Sequence, residues 1–100
     1  MTEPIVTSVT HRFLGAMQRL TVAPGLAWDF TPQEAWTLAR AMIAVGHDPG
    51  RAEEIFLSPQ GCDREFLAKV TNEGLLVAAP ERTVLIDWSA LATVAEALSY

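Results

Sequence analysis

Between positions 5 and 20 the apolar side chains Val6, Val9, Phe13, Met17 and Leu20 recur at spacings of three and four, with Thr10, Gln18 and Arg19 among them. That period places the apolar residues on one face of a helix and predicts an amphipathic helix over 5–20. Ala23-Pro24-Gly25 ends it, because proline biases the preceding residue away from helical dihedrals and glycine tolerates positive φ. After a connector over 26–30, Thr31-Pro32-Gln33-Glu34 combines an N-cap, a proline in the first turn and a glutamate able to reach back to the cap amide. A helix is predicted from there to the stop at Gly46. Its apolar positions Ala35, Trp36, Leu38, Ala39, Met42, Ile43 and Val45 leave a narrow polar stripe, which predicts a central helix contacted on several sides.

Asp48-Pro49 repeats the cap-then-proline pattern and predicts a short helix through Arg51, Ala52, Ile55 and Phe56, closed by Ser58-Pro59. Asp63 is placed to cap a further helix bearing Phe66, Leu67 and Val70, with Gly74 as its stop. NEGLLVAAPERTVLIDW then reads as a hairpin around Pro80-Glu81-Arg82. Asp87 or Ser89 can cap a last helix, carrying Leu91, Val94, Ala95 and Leu98 and reaching Tyr100. The expected fold class is mainly α with a β-hairpin (α+β): about five helices and one two-stranded antiparallel hairpin near 75–87. A single domain over 1–100 is expected, with 1–25 holding the N-terminal amphipathic helix and 31–99 a compact unit.

The element order over 31–99, and within it REFLAKVTNEGLLVAAPERTVLID, resembles a winged helix-turn-helix domain of the bacterial MarR type. Phe66, Leu67, Val70, Gly74 and Leu75 fall where that pattern has apolar residues and its glycine. The resemblance implies a recognition helix near 63–73, a wing near 75–87 and, if such a domain bound DNA as a dimer, contacts from Arg64, Lys69, Asn72 and Arg82.

Charge turns that implication toward a different partner. The chain carries seven basic and twelve acidic side chains, a formal net of −5. Within 48–87, four basic residues face eight acidic ones, a net of −4, where a DNA reader needs cations on phosphates. The wing tip offers only Pro80, Glu81 and Arg82. Nucleic acid is therefore not the expected partner, and another protein is.

Candidate chemistry is sparse. Cys62 at a predicted helix start could act as a thiolate nucleophile, but only His11 and His47 could serve it as a base, and a structural cysteine is the preferred reading. His47-Asp48 reads as a helix end followed by a cap. Glu53 and Glu54 point about 100° apart on a helix and read as a solvated face instead of a metal site. No enzyme, catalytic residue, metal or cofactor is expected. With one cysteine, no basic and apolar leader in MTEPIVTS and no membrane-length apolar run, a cytoplasmic location is expected and no membrane association.

Apolar residues in excess of one small core point to protein binding. Phe13, Met17 and Leu20 on the first helix, Trp28 in the connector and Leu85 on the doubly apolar hairpin are the candidate contacts. Phe30 reads as a staple toward the helix that follows it. The expected function is a small non-catalytic regulator or adaptor, anti-activator-like or inhibitor-like, acting by protein–protein binding as a homodimer; the alternative is a winged-helix DNA-binding transcriptional regulator.

Overall fold

The computed structural model describes residues 3–99. Seven strands and two helices occur among them: β1 (Ile5–His11), β2 (Gly15–Ala23), β3 (Leu26–Phe30), α1 (Pro32–His47), β4 (Glu54–Leu57), β5 (Phe66–Val70), β6 (Gly74–Ala78), β7 (Thr83–Asp87) and α2 (Trp88–Leu98). A single 3-10 turn, Pro49–Arg51, follows α1. The strands form a three-stranded sheet, β1-β2-β3, and a four-stranded sheet, β4-β5-β6-β7, antiparallel throughout.

The expected mainly helical class is thus corrected to a strand-rich α+β fold, and the winged-helix resemblance falls with it. No recognition helix exists, because 63–73 contributes a strand and its flanking loops instead.

The N-terminal helix is replaced by a hairpin, for a reason visible in the side chains. Ile5, Val6, Thr7, Val9 and Thr10 are β-branched, which favours the pleated backbone over a helix. Met17 and Leu20 are both buried yet lie on opposite faces of β2, so their separation of three imitates a helical period without being one. Leu20 and Val22 enter the main core, whereas Met17 packs outside it, under Gly61. Similarly, Phe66 and Val70 are four apart, a spacing that suits a helix and a strand equally, and Phe66 with the buried Ala68 between them shows the period of two. The short helix after Asp48 survives only as the 3-10 turn, since Ala52 is already extended at φ −146° and ψ 150° and leads into β4. Gly74 opens β6 instead of stopping a helix; at φ 147° a Cβ there would overlap the Ile86 carbonyl oxygen.

Both helices begin as their side chains require. Thr31 accepts from the Glu34 N–H while Glu34 accepts from the Thr31 N–H, a complete capping box, and Asp87 accepts from the Ala90 N–H at the start of α2. The hairpin near 75–87 is present as β6–β7, with Leu75 opposite Ile86 and Leu76 opposite Leu85, but as half of the larger sheet. Tyr100, the expected end of the last helix, lies outside the described residues.

The two helices pack against each other, α1 resting on β2, β3 and β4 and α2 on β1, β6 and β7, so each bridges the two sheets. One continuous apolar cluster results, running from Leu20, Trp28 and Phe30 through Leu38 and Met42 to Phe66, Leu75, Ile86 and Leu91. The sheets meet through aromatic edges. Phe66 of β5 stands nearly perpendicular to Trp28 at 5.2 Å and to Phe30 at 5.9 Å between ring centres. Among the described residues no helix is long and apolar enough to cross a membrane.

Candidate interaction surface

The five residues expected to contact a partner separate into two groups. Met17, Leu20 and Trp28 are buried, and the Trp28 indole N–H donates to the Glu65 carbonyl oxygen at 3.0 Å. Leu20 and Trp28 face the main core, and Met17 is covered on the opposite face of β2 beneath Gly61. Phe13, in the β1–β2 turn, is 83% exposed, and Leu85 on β7 is 42% exposed.

Of the residues associated with DNA contacts, Arg64 and Arg82 line one concavity together with Pro24 and Glu81, and neither Lys69 nor Asn72 lines it. Arg64 stacks over the Trp28 ring at 5.7 Å, Lys69 stands opposite Glu54 across β4–β5, and Asn72 gives its carbonyl oxygen to the Trp88 indole at 3.0 Å. Arg82 donates to the Pro24 carbonyl oxygen at 2.7 Å, tying the β6–β7 tip to the β2–β3 turn.

Candidate chemical residues are also occupied locally. Cys62 Sγ accepts from the Asp29 N–H at 2.8 Å and donates to the Asp29 carbonyl oxygen at 3.3 Å, which seats the loop before β5 against the outer edge of β3. Burial pushes this thiol above its ordinary pKa, the reverse of what a nucleophilic cysteine needs. His11 Nδ1 accepts from the N–H groups of Phe13 and Leu14, each at 3.1 Å, and holds the β1–β2 turn. Glu53 and Glu54 lie before and at the start of β4, and no group of three or more His, Cys, Asp or Glu able to hold a metal occurs among the described residues. The Arg19–Asp29 pair is bidentate, at 2.6 and 3.0 Å, and joins opposing positions of β2 and β3; the hydrogen bond to Asp29 holds the guanidinium pKa above its usual value.

An apolar concavity lies on the outer side of the helix pair. The start of α1 adjoins the end of α2 around Pro32, Trp36, Leu98 and Ser99, and the end of α1 adjoins the start of α2 around Gly46, His47 and Trp88. The helices therefore run antiparallel, with a groove of roughly 600 Å³ along the seam beside Ile43 and Ala92. Small residues create it, since Gly46, Ala92 and Ala95 cannot fill the space between the two helices. A Cβ added at Gly46 would meet nothing within 4 Å.

Two large apolar side chains of α1 lie uncovered on this side: Ile43 lines the groove, and Trp36 borders a neighbouring concavity with Pro32, Leu98 and Ser99. Trp36 is 53% exposed and Ile43 47% exposed, and with Arg40 between them they form one stripe at i, i+4 and i+7. Arg40 stacks its guanidinium over the Trp36 ring at 4.8 Å, which orients the indole at the surface. The signal was present in the sequence as the unusually wide apolar arc of this helix. Only one side of that arc meets the core, through Ala35, Leu38, Ala39, Met42 and Val45.

Comparison of the chain with protein families, with curated proteins and with solved structures gives no match in any of the three.

Proposed function

We propose that this chain is a small non-catalytic binding protein that takes an amphipathic helix of another protein into the groove between α1 and α2. The observation that carries the reading is the conjunction of the uncovered Trp36–Ile43 stripe with an open apolar groove floored by Gly46 and alanines. Helix-in-groove recognition uses such a surface, with anchors at i, i+3 or i+4, and i+7 on the incoming helix filling the concavity. From Trp36 to Ile43 the stripe extends about 10 Å at 1.5 Å per residue, the length of two helical turns of a partner. Exposed aromatic and aliphatic groups beside a concave apolar strip are also what interface anchors require.

The net charge of −5 defines the partner further, because an acidic protein attracts and orients a helix with basic residues flanking its apolar stripe. A regulator or adaptor of inhibitor-like action follows from this mode, since occupying a partner's helix makes that helix unavailable elsewhere. Affinity capture from the native lysate with the wild-type chain and with Gly46→Leu in parallel tests the reading. Gly46 has no positive φ and has open space above it, so leucine fills the groove without backbone strain. A protein retained by wild type and lost by Gly46→Leu is the expected result. Recovery of no specific protein, or equal recovery by both, overturns it.

A further inference from the structure

A second surface, remote from the helix groove in chemistry, is the free edge of β1. This strand pairs only with β2, and none of the other backbone hydrogen bonds among the described residues reaches positions 5–11. Its outward N–H and C=O groups therefore stand in a row without backbone partners among the described residues. Natural sheets blunt such an edge with lysine, proline, a bulge, or a very short strand. β1 has none of these: it is seven residues long, IVTSVTH, without an acidic residue, lysine, arginine or proline, and its pairing with β2 is unbroken. Two of the other three outer strands carry a protecting feature: β3 is covered by the Cys62 loop, and β4 is four residues long and begins with an acid; β7, five residues long, runs directly into α2.

Exposed apolar groups gather at the two ends of this same edge. Ile5, at its start, is 56% exposed, and Phe13 and Leu14 occupy the turn just beyond its end. These are three of the seven large apolar side chains left exposed among the described residues, so the concentration is local to β1.

We infer that β1 is the dimerisation edge of this protein, pairing antiparallel with β1 of a second copy across a two-fold axis at Ser8 to make a continuous six-stranded sheet. An isologous contact must be complementary to itself. In this register Ser8 faces the partner's Ser8, Thr7 faces the partner's Val9, Val6 faces the partner's Thr10 and Ile5 faces the partner's His11. No like charges are opposed, and β-branched pairs, the favoured cross-strand partners, fill the middle. The antiparallel sense also brings the start of one strand to the end of the other. Each Phe13 then lies diagonal to the partner's Ile5, within reach of an aromatic ring, and beside the hollow of roughly 300 Å³ that Glu3, Pro4 and Leu85 help to line. Arg12 falls opposite the partner's Pro4 and next to the partner's Glu3, which adds an opposite-charge contact at both ends. One operation thus satisfies the backbone edge and covers the apolar groups that flank it.

Solution mass by sedimentation, with wild type, Ser8→Lys, Gly46→Leu and Ser8→Cys, tests the assignment. Wild type is expected to be a dimer, and Gly46→Leu to remain one because the helix groove takes no part. Ser8→Lys sets two ammonium groups face to face at the axis and is expected to weaken the dimer about tenfold or more, with an unchanged circular-dichroism spectrum. Ser8→Cys is expected to form a covalent dimer on mild oxidation, whereas Thr10→Cys, which faces Val6 in this register, remains unlinked. A monomeric wild type, a dimer indifferent to Ser8→Lys, a dimer lost with Gly46→Leu, or linking of Thr10→Cys in preference to Ser8→Cys overturns the inference. If Ser8→Lys alters the fold, the cysteine pair decides.

Discussion

The two hairpins of this protein, β1–β2 at the N-terminal end and β6–β7 near the C-terminal end, share an antiparallel plan and differ in how they are held. In β6–β7, Leu75, Val77 and Ile86 enter the core, α2 begins at the residue after β7, and Arg82 fastens the tip to Pro24. In β1–β2 only the second strand is well buried; the first exposes its edge, and its turn presents Phe13 to solvent, folded around His11. The same secondary structure therefore serves two purposes. One hairpin is a fastened element of the core, and the other has a half that remains available.

The comparison predicts opposite responses to substitution. The largest effect is expected at Gly74, where alanine would drive a Cβ into the Ile86 backbone at a φ suited only to glycine. Gly74→Ala should cost about 4 kcal/mol or abolish folding, measured as the shift in urea midpoint. Next, Arg82→Ala removes the tie between the two tips and should cost about 1 kcal/mol in the same measurement, the scale of one surface hydrogen bond. An equal or larger cost for Phe13→Ser would erase the distinction between the hairpins. Instead, Phe13→Ser should leave the urea midpoint of the dissociated monomer within about 0.5 kcal/mol of wild type.

The two outer edges of the smaller sheet sharpen the contrast through pH. Burial raises the Cys62 thiol pKa in the folded chain, so the fold favours the neutral thiol that bridges Asp29. Its contribution is complete below the ordinary thiol value and is lost as pH rises from there through the raised folded value. Wild type should therefore lose stability over that alkaline interval relative to Cys62→Ala, and its thiol should alkylate more slowly at neutral pH than in an unfolded peptide. A steeper alkaline loss in Cys62→Ala than in wild type would show that the β3 edge is not closed by this contact.

Local chemistry was legible in the sequence where one side-chain arrangement admits one structure. Thr31-Pro32-Gln33-Glu34 announces α1, and Asp87 followed by apolar residues at 91, 94, 95 and 98 announces α2. Glu81-Arg82 between apolar runs locates the β6–β7 turn. The strands β1, β2, β4 and β5 were not legible by spacing, because separations of three or four also arise when strand residues are buried from opposite faces or skip one alternation. Met17 with Leu20 and Phe66 with Val70 are the cases in point. The β-branched run from Ile5 to Thr10 was the better signal, since it reports backbone preference independently of which face is covered. Among candidate contacts, Phe13 and Leu85 could be named from apolar excess alone. Trp36 and Ile43 could not, because they sit in an arc whose inner part is true core, and only the position of α2 shows where coverage stops.

The carboxylate of Glu34 does more than complete a cap. One oxygen accepts from the Thr31 N–H at 2.9 Å, and the other accepts from the Gln60 N–H at 3.0 Å, in the loop whose Cys62 grips Asp29. Asp29 in turn holds Arg19. A chain of polar contacts therefore runs from the first turn of α1 through the loop to β3 and β2, outside the apolar core, and the loop that carries Gln60 and Cys62 supplies two of its links. In terms of native fluctuations, the amides of Asp29 and Gln60 open with that loop, and their hydrogens should exchange with solvent at a common free energy although 31 positions separate them.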